Sequence, residues 1–205
     1  MKKLLIAVVA LLPMALMAQT KHAKLTNDGA FASISTSDST SNFQLQVSRG
    51  ISGPSTITNL EFVSVAFSPD LTAITVLEIV GPIPNSAFSG DNTKTLALDL
   101  DPSTLDPTVT TIESCTLDFT QPNPNFVCGP LPAGTIHLSF QENDIQENRL
   151  VQTQTTTLGP VTIISHQRSE AGSATVQGTV FGTSISSSNG SSGVNHLSSI
   201  EFTRK

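Results

Sequence analysis

Apolar residues in this chain recur at every second position. Phe43, Leu45 and Val47 alternate with Gln44, Gln46 and Ser48, and Leu96, Leu98 and Leu100 with Ala97 and Asp99. Cys115, Leu117 and Phe119 alternate with Thr116 and Asp118, Ile136, Leu138 and Phe140 with His137 and Ser139, and Ile200 and Phe202 with Glu201 and Thr203. Successive side chains of an extended backbone point to opposite faces, so each run reads as a strand with one face in a core and one in water. Ala30–Ile34, Val161–Ile164 and Ala174–Phe181 are further strand candidates. No segment carries a sustained helical stripe, which argues against a helical bundle or a parallel sheet with crossover helices. Two runs are denser, Leu60–Phe67 and Ala73–Val80, and their apolar phase shifts midway. That predicts strands covered on both faces, or a bulge that flips the register.

Turn signals separate these runs: Asn27-Asp28-Gly29, Ser52-Gly53-Pro54, Ser68-Pro69-Asp70, Gly81-Pro82, Ser89-Gly90-Asp91, Asp101-Pro102, Gly129-Pro130, Gly159-Pro160 and Asn189-Gly190. Their spacing suits an all-β domain. The expectation is one domain over residues 19–205, an antiparallel β-sandwich of about 9–11 strands, with a closed β-barrel as the alternative. Pro84–Ser89 reads as a single helical turn with Phe88 plugging the edge of the core. Glu142–Arg149 and the low-complexity Ser184–Gly193 read as exposed connections. The ten Phe read as core.

Residues 1–18, MKKLLIAVVALLPMALMA, have the layout of a bacterial signal peptide: Lys2 and Lys3, an apolar run, then the small Ala18 before Gln19. The 15 residues from Leu4 to Ala18 fall short of the roughly 20 that span a bilayer. A secreted or periplasmic location follows as an expectation, with no integral membrane segment once the leader is removed. Cys115 and Cys128 are the two cysteines of the chain, and in an oxidising compartment they predict one disulfide. Pro122 and Pro124 between them predict an irregular loop stapled at its base rather than a tight ladder.

Composition narrows the chemistry. Lys and Arg number 10 against 16 Asp and Glu, with no basic run, which argues against nucleic-acid binding. Trp and Tyr are absent, which removes the usual sugar-stacking platforms and any phenolic acid or base. The imidazoles are His22, His137, His166 and His196, none at metal-ligand spacing, and no GxSxG elbow occurs. The densest acidic group is Asp99, Asp101 and Asp106, with Asp91 upstream; Asp99 and Asp101 share a wet strand face and are candidate calcium ligands. Glu142, Asp144 and Glu147 form a second acidic group.

No convergent set of reactive groups is apparent. The function this supports is an exported, non-enzymatic structural, adhesive or ligand-binding module with a cell-surface or extracellular ligand. Its recognition surface is expected at loops 121–130, 142–149 and 184–195. The alternatives are a hydrolase on a β-scaffold, built on His137 or His166, and a calcium-dependent binding module.

Overall fold

Alternation becomes burial wherever a strand lies over the core. The burial of Phe43, Leu45 and Val47 against exposed Gln44 and Gln46 is one such row, and Leu96–Leu100 and Ile136–Phe140 are two more. The computed structural model describes residues 19–90, 94, 96–156 and 161–204, so the leader and the Gly159-Pro160 turn lie outside the described residues. Among the described residues eleven strands form: β1 (Gln19–Ser37), β2 (Ser41–Ser52), β3 (Ser55–Phe67), β4 (Ala73–Ile83), β5 (Phe88–Ser89), β6 (Leu96–Leu100), β7 (Thr111–Asp118), β8 (Phe126–Gly129), β9 (Ile136–Thr156), β10 (Val161–Val180) and β11 (Thr183–Arg204). Every pair is antiparallel, and the spatial order is β5-β6-β9-β10-β11-β1-β2-β3-β4-β7-β8.

The expected antiparallel all-β fold and strand number are thus present. The layers come from one continuous sheet that curls on itself. Its end strands β5 and β8 do not pair, so the molecule is a half-barrel, open rather than closed. The arms touch where Phe62 of β3 meets Phe181, ring centroids 5.9 Å apart, and where Arg49 of β2 donates to the carbonyls of Phe88 and Gly90. The core between them is built from Ala32, Ile34, Leu45, Val47, Leu60, Phe62 and Ile79 on one side and Phe88, Leu96, Leu98, Ile136, Phe140 and Val176 on the other. The expected turn at Pro84–Ser89 is a 3-10 turn, Asn85–Ala87, and it delivers Phe88 fully buried.

Several expectations are corrected. Ser184–Gly193 is not a loop: it lies inside β11, paired with β10 on both sides of one register shift and, from Gly190 on, with β1 as well. Its small residues are there for packing. A Cβ on Gly190 would come within 2.4 Å of the Val176 side chain, and one on Gly193 within 2.3 Å of the Phe31 ring that covers it. Glu142–Arg149 is likewise strand, paired from Glu142 opposite Ala174 to Arg149 opposite Arg168. Backbone pairing, not side-chain pattern, holds this stretch extended. Asn27-Asp28-Gly29 is strand interior, paired with β11 on one side and β2 on the other. Gly190 is paired with β1 and β10, while Asn189 falls at a register shift and donates its N–H to the Ser187 hydroxyl at 3.1 Å. The two dense runs, in β3 and β4, are half-buried over most of their length, and their ladders carry no register shift. The extra apolar residues make an outer apolar face.

Candidate functional site

The turns use the carboxylates that the sequence offers as metal ligands. Five turns repeat one device, Asp-x-Ser/Thr, in which a carboxylate accepts both the N–H and the hydroxyl two residues on. Asp101 accepts from Ser103 N at 3.0 Å and Oγ at 2.7 Å, and Asp106 from Thr108 N at 2.9 Å and Oγ1 at 2.7 Å. Asp38 with Thr40, Asp70 with Thr72 and Asp118 with Thr120 repeat it. Hydrogen bonds to the ionised form favour it. The Ser103 hydroxyl therefore holds Asp101, and the Thr108 hydroxyl Asp106, below the ordinary carboxylate range. Asp118 is lowered in the same way, first by the Thr120 hydroxyl. Asp99 instead faces its cross-strand neighbour His137, Nδ1 to Oδ1 2.6 Å. The three calcium candidates thus have separate partners, and among the described residues no three His, Cys, Asp or Glu are grouped to hold a metal. Asp101 also lines a cavity of about 690 Å³ at one end of the half-barrel, walled by Pro102, Pro107, Pro130 and Pro132.

The concave face carries a second group of charges above the apolar core. Inward positions of four strands meet there: Asp28 of β1, Arg49 of β2, Arg168 and Glu170 of β10 and His196 of β11 line a cleft of about 350 Å³. Asp28 and His196 are direct cross-strand neighbours and hydrogen-bond through Nδ1. Arg168 donates to Glu147 at 3.0 Å and to Glu170. Arg49 is engaged by the two carbonyls on the opposite arm. Below the cleft, both carboxylate oxygens of Glu142 and the Ser192 hydroxyl are buried without a hydrogen-bond partner. His137, His166 and His196 are all exposed, and of these three His196 is the one that lines the cleft. Sequence reasoning missed the cleft because Asp28 and His196 stand 168 positions apart. The period-two phase could have shown that Asp28 shares a face with Ala30 and Ala32, but not which strand lies beside it.

Comparison of the chain with family models, with curated proteins and with solved structures finds no match. The site must therefore be read from its own chemistry.

The remaining exposed feature is the β7–β8 edge. Cys115 and Cys128 lie opposite one another and are joined by a disulfide. A short ladder does form, from Ser114 opposite Gly129 to Leu117 opposite Phe126, and Pro122 and Pro124 fall in the irregular loop beyond it. Every residue from Gln121 to Pro130 is exposed, Phe126 at 54% and Val127 at 74%. Of the three segments nominated for recognition, this one is a loop and free edge; the other two are paired strand. Phe31, Phe67, Phe119 and Phe126 are exposed, so these four of the ten Phe are not core.

Proposed function

We propose that the chain is exported by its leader and acts outside the cytoplasm as a non-enzymatic structural or adhesive module that binds a partner through the β7–β8 edge. The observation that carries this reading is a contrast between two surfaces. The charged groups of the concave cleft are engaged with one another or with backbone carbonyls, and among the described residues no serine or cysteine is bonded to His196. The β8 edge instead exposes apolar side chains next to unpaired backbone groups, a combination that monomeric proteins usually suppress with charge or proline. The Asp28–His196 pair favours the hydrolase reading, since an imidazole oriented by a carboxylate is half of a nucleophilic site.

Turnover decides between them. The mature chain and its His196→Gln variant are assayed on chromogenic esters, glycosides and phosphoesters. The module reading expects no hydrolysis above the variant's rate; hydrolysis lost in the variant would establish an enzyme. The mass of the protein recovered from the extracytoplasmic fraction tests export, with Gln19 as the expected first residue.

A further inference from the structure

The register fixes what the outer face of β3, β4, β7 and β8 presents. Phe67, Ile74, Leu117 and Phe126 stand in one cross-strand row, and Val65, Val76 and the Cys115–Cys128 disulfide in the next. These residues lie opposite in phase to the buried Leu60, Phe62 and Ile79, so they form an apolar stripe on the outside. The adjoining row is Val63, Glu78 and Glu113, and Glu78 is directly opposite Glu113. Like charges so placed are destabilising. Glu61 lies exposed one row further on. None of the four strands contains a Lys or Arg, and from Gly50 to Asn148 there are twelve acids and the single cation Lys94. The stripe therefore ends at a free strand edge and is bordered by acids with no ion pair among the described residues.

The two edges of the sheet are treated differently. β5 is two residues long, buries Phe88 completely, and has the carbonyl of Phe88, with that of the following Gly90, taken by Arg49. β8 has no such cover and no charge of its own. A second copy is a poor occupant. Antiparallel pairing of two β8 edges would set two copies of this acid-bordered arm side by side, with no Lys or Arg in the four strands of either.

We propose that the β8 edge receives an extended segment of a partner polypeptide, added as the next antiparallel strand, whose apolar residues continue the outer stripe and whose flanking Lys or Arg approach Glu113, the nearer acid of the Glu78–Glu113 pair. The backbone ladder supplies affinity, and the alternation of apolar and basic residues supplies selection. This rests on the binding-module reading and names the partner's chemistry.

The test uses two synthetic peptides with the same alternating valine–threonine centre, one flanked by lysines and one by glutamates, titrated into the ¹⁵N-labelled mature chain at low and high salt. The lysine peptide is expected to shift the amides of β8 and the outer residues of β7, and to weaken with salt. The glutamate peptide is expected not to bind. Glu78→Gln with Glu113→Gln is expected to weaken the lysine peptide by roughly two- to fivefold, in line with exposed ion pairs. Val127→Lys, at an exposed position, is expected to abolish binding with an unchanged far-ultraviolet spectrum. Equal binding of both peptides, binding confined to the concave cleft, no binding of either, or indifference to the Glu pair overturns the proposal. So does a dimer of the free chain that Val127→Lys dissolves, since the occupant would then be the chain itself. Failure of the peptides leaves the non-enzymatic reading standing; hydrolysis dependent on His196 removes that reading and leaves the edge proposal to its own test.

Discussion

Aspartate is the residue that punctuates this chain. At Asp38, Asp70, Asp101, Asp106 and Asp118 a side chain takes over hydrogen bonds that a turning backbone cannot make for itself. The consequence is acid sensitivity with a defined sign. The Thr40 N–H, ahead of the Ser41 hydroxyl, lowers Asp38 from 3.8 to about 2. The Ser68 hydroxyl, ahead of that of Thr72, lowers Asp70 to about 2. A carboxylate with a lower value folded than unfolded contributes stability fully above the unfolded value and loses it as pH falls through the folded one. The contribution from these turns is therefore expected to be complete above about pH 4 and gone near pH 2. Carbon-detected titration should place the Asp38 and Asp70 midpoints near 2, and Ser68→Ala should raise that of Asp70. Midpoints at the ordinary aspartate value would remove these carboxylates from the account of acid stability.

At the scale of the element, the sequence signals strand against loop well where a strand borders the core. Phe43–Val47 and Ile136–Phe140 alternate because one face is dry. The signal fails in β9 and β11, where Glu142–Arg149 and Ser184–Gly193 look like linkers yet are paired with β10, each around one register shift. Small residues there make room: a Cβ on Gly172 would lie 1.9 Å from the Asp144 carbonyl oxygen. The β7–β8 hairpin shows the opposite weakness. Its pairing covers four residue pairs, all on an exposed edge, so the disulfide carries much of its order. Closing such a loop is worth on the order of 3 kcal/mol in the chain-entropy model. Replacing both cysteines by serine is expected to strip hydrogen-exchange protection from Phe126–Gly129 first, while amides of β1, β10 and β11 keep theirs. Unaltered protection in β8 would show that the ladder stands without the bridge.

Across the whole molecule, curling one sheet creates the core, and the arms must be held together without a closing ladder. Arg49 reaches from β2 to the carbonyls of the β5 arm and lies 5.7 Å above the Phe88 ring. Thr58 donates to Asn85 at 2.9 Å, which ties the turn leading to β5 to β3. Removing a charged donor from part-buried carbonyls leaves them unmet. Arg49→Met is expected to cost on the order of 2 kcal/mol, read as a lower urea midpoint by far-ultraviolet circular dichroism. An unchanged midpoint would mean that the apolar contacts, with Phe62 against Phe181, join the arms unaided. The same curl separates charge: the charged residues of β3, β4 and β7 are all acidic, whereas the concave face mixes both signs.

The sequence by itself determined the strand period, the absence of helical stripes, the cysteine pair and the plug at Phe88, because each depends on residues near one another in the chain. Tertiary structure alone decided which strands neighbour which. Only that choice sets Asp28 against His196, turns Ser184–Gly193 from linker into sheet, and leaves β8 rather than β5 as the bare edge. Alternation tells a side chain which way to face, but carries no information about what stands across from it.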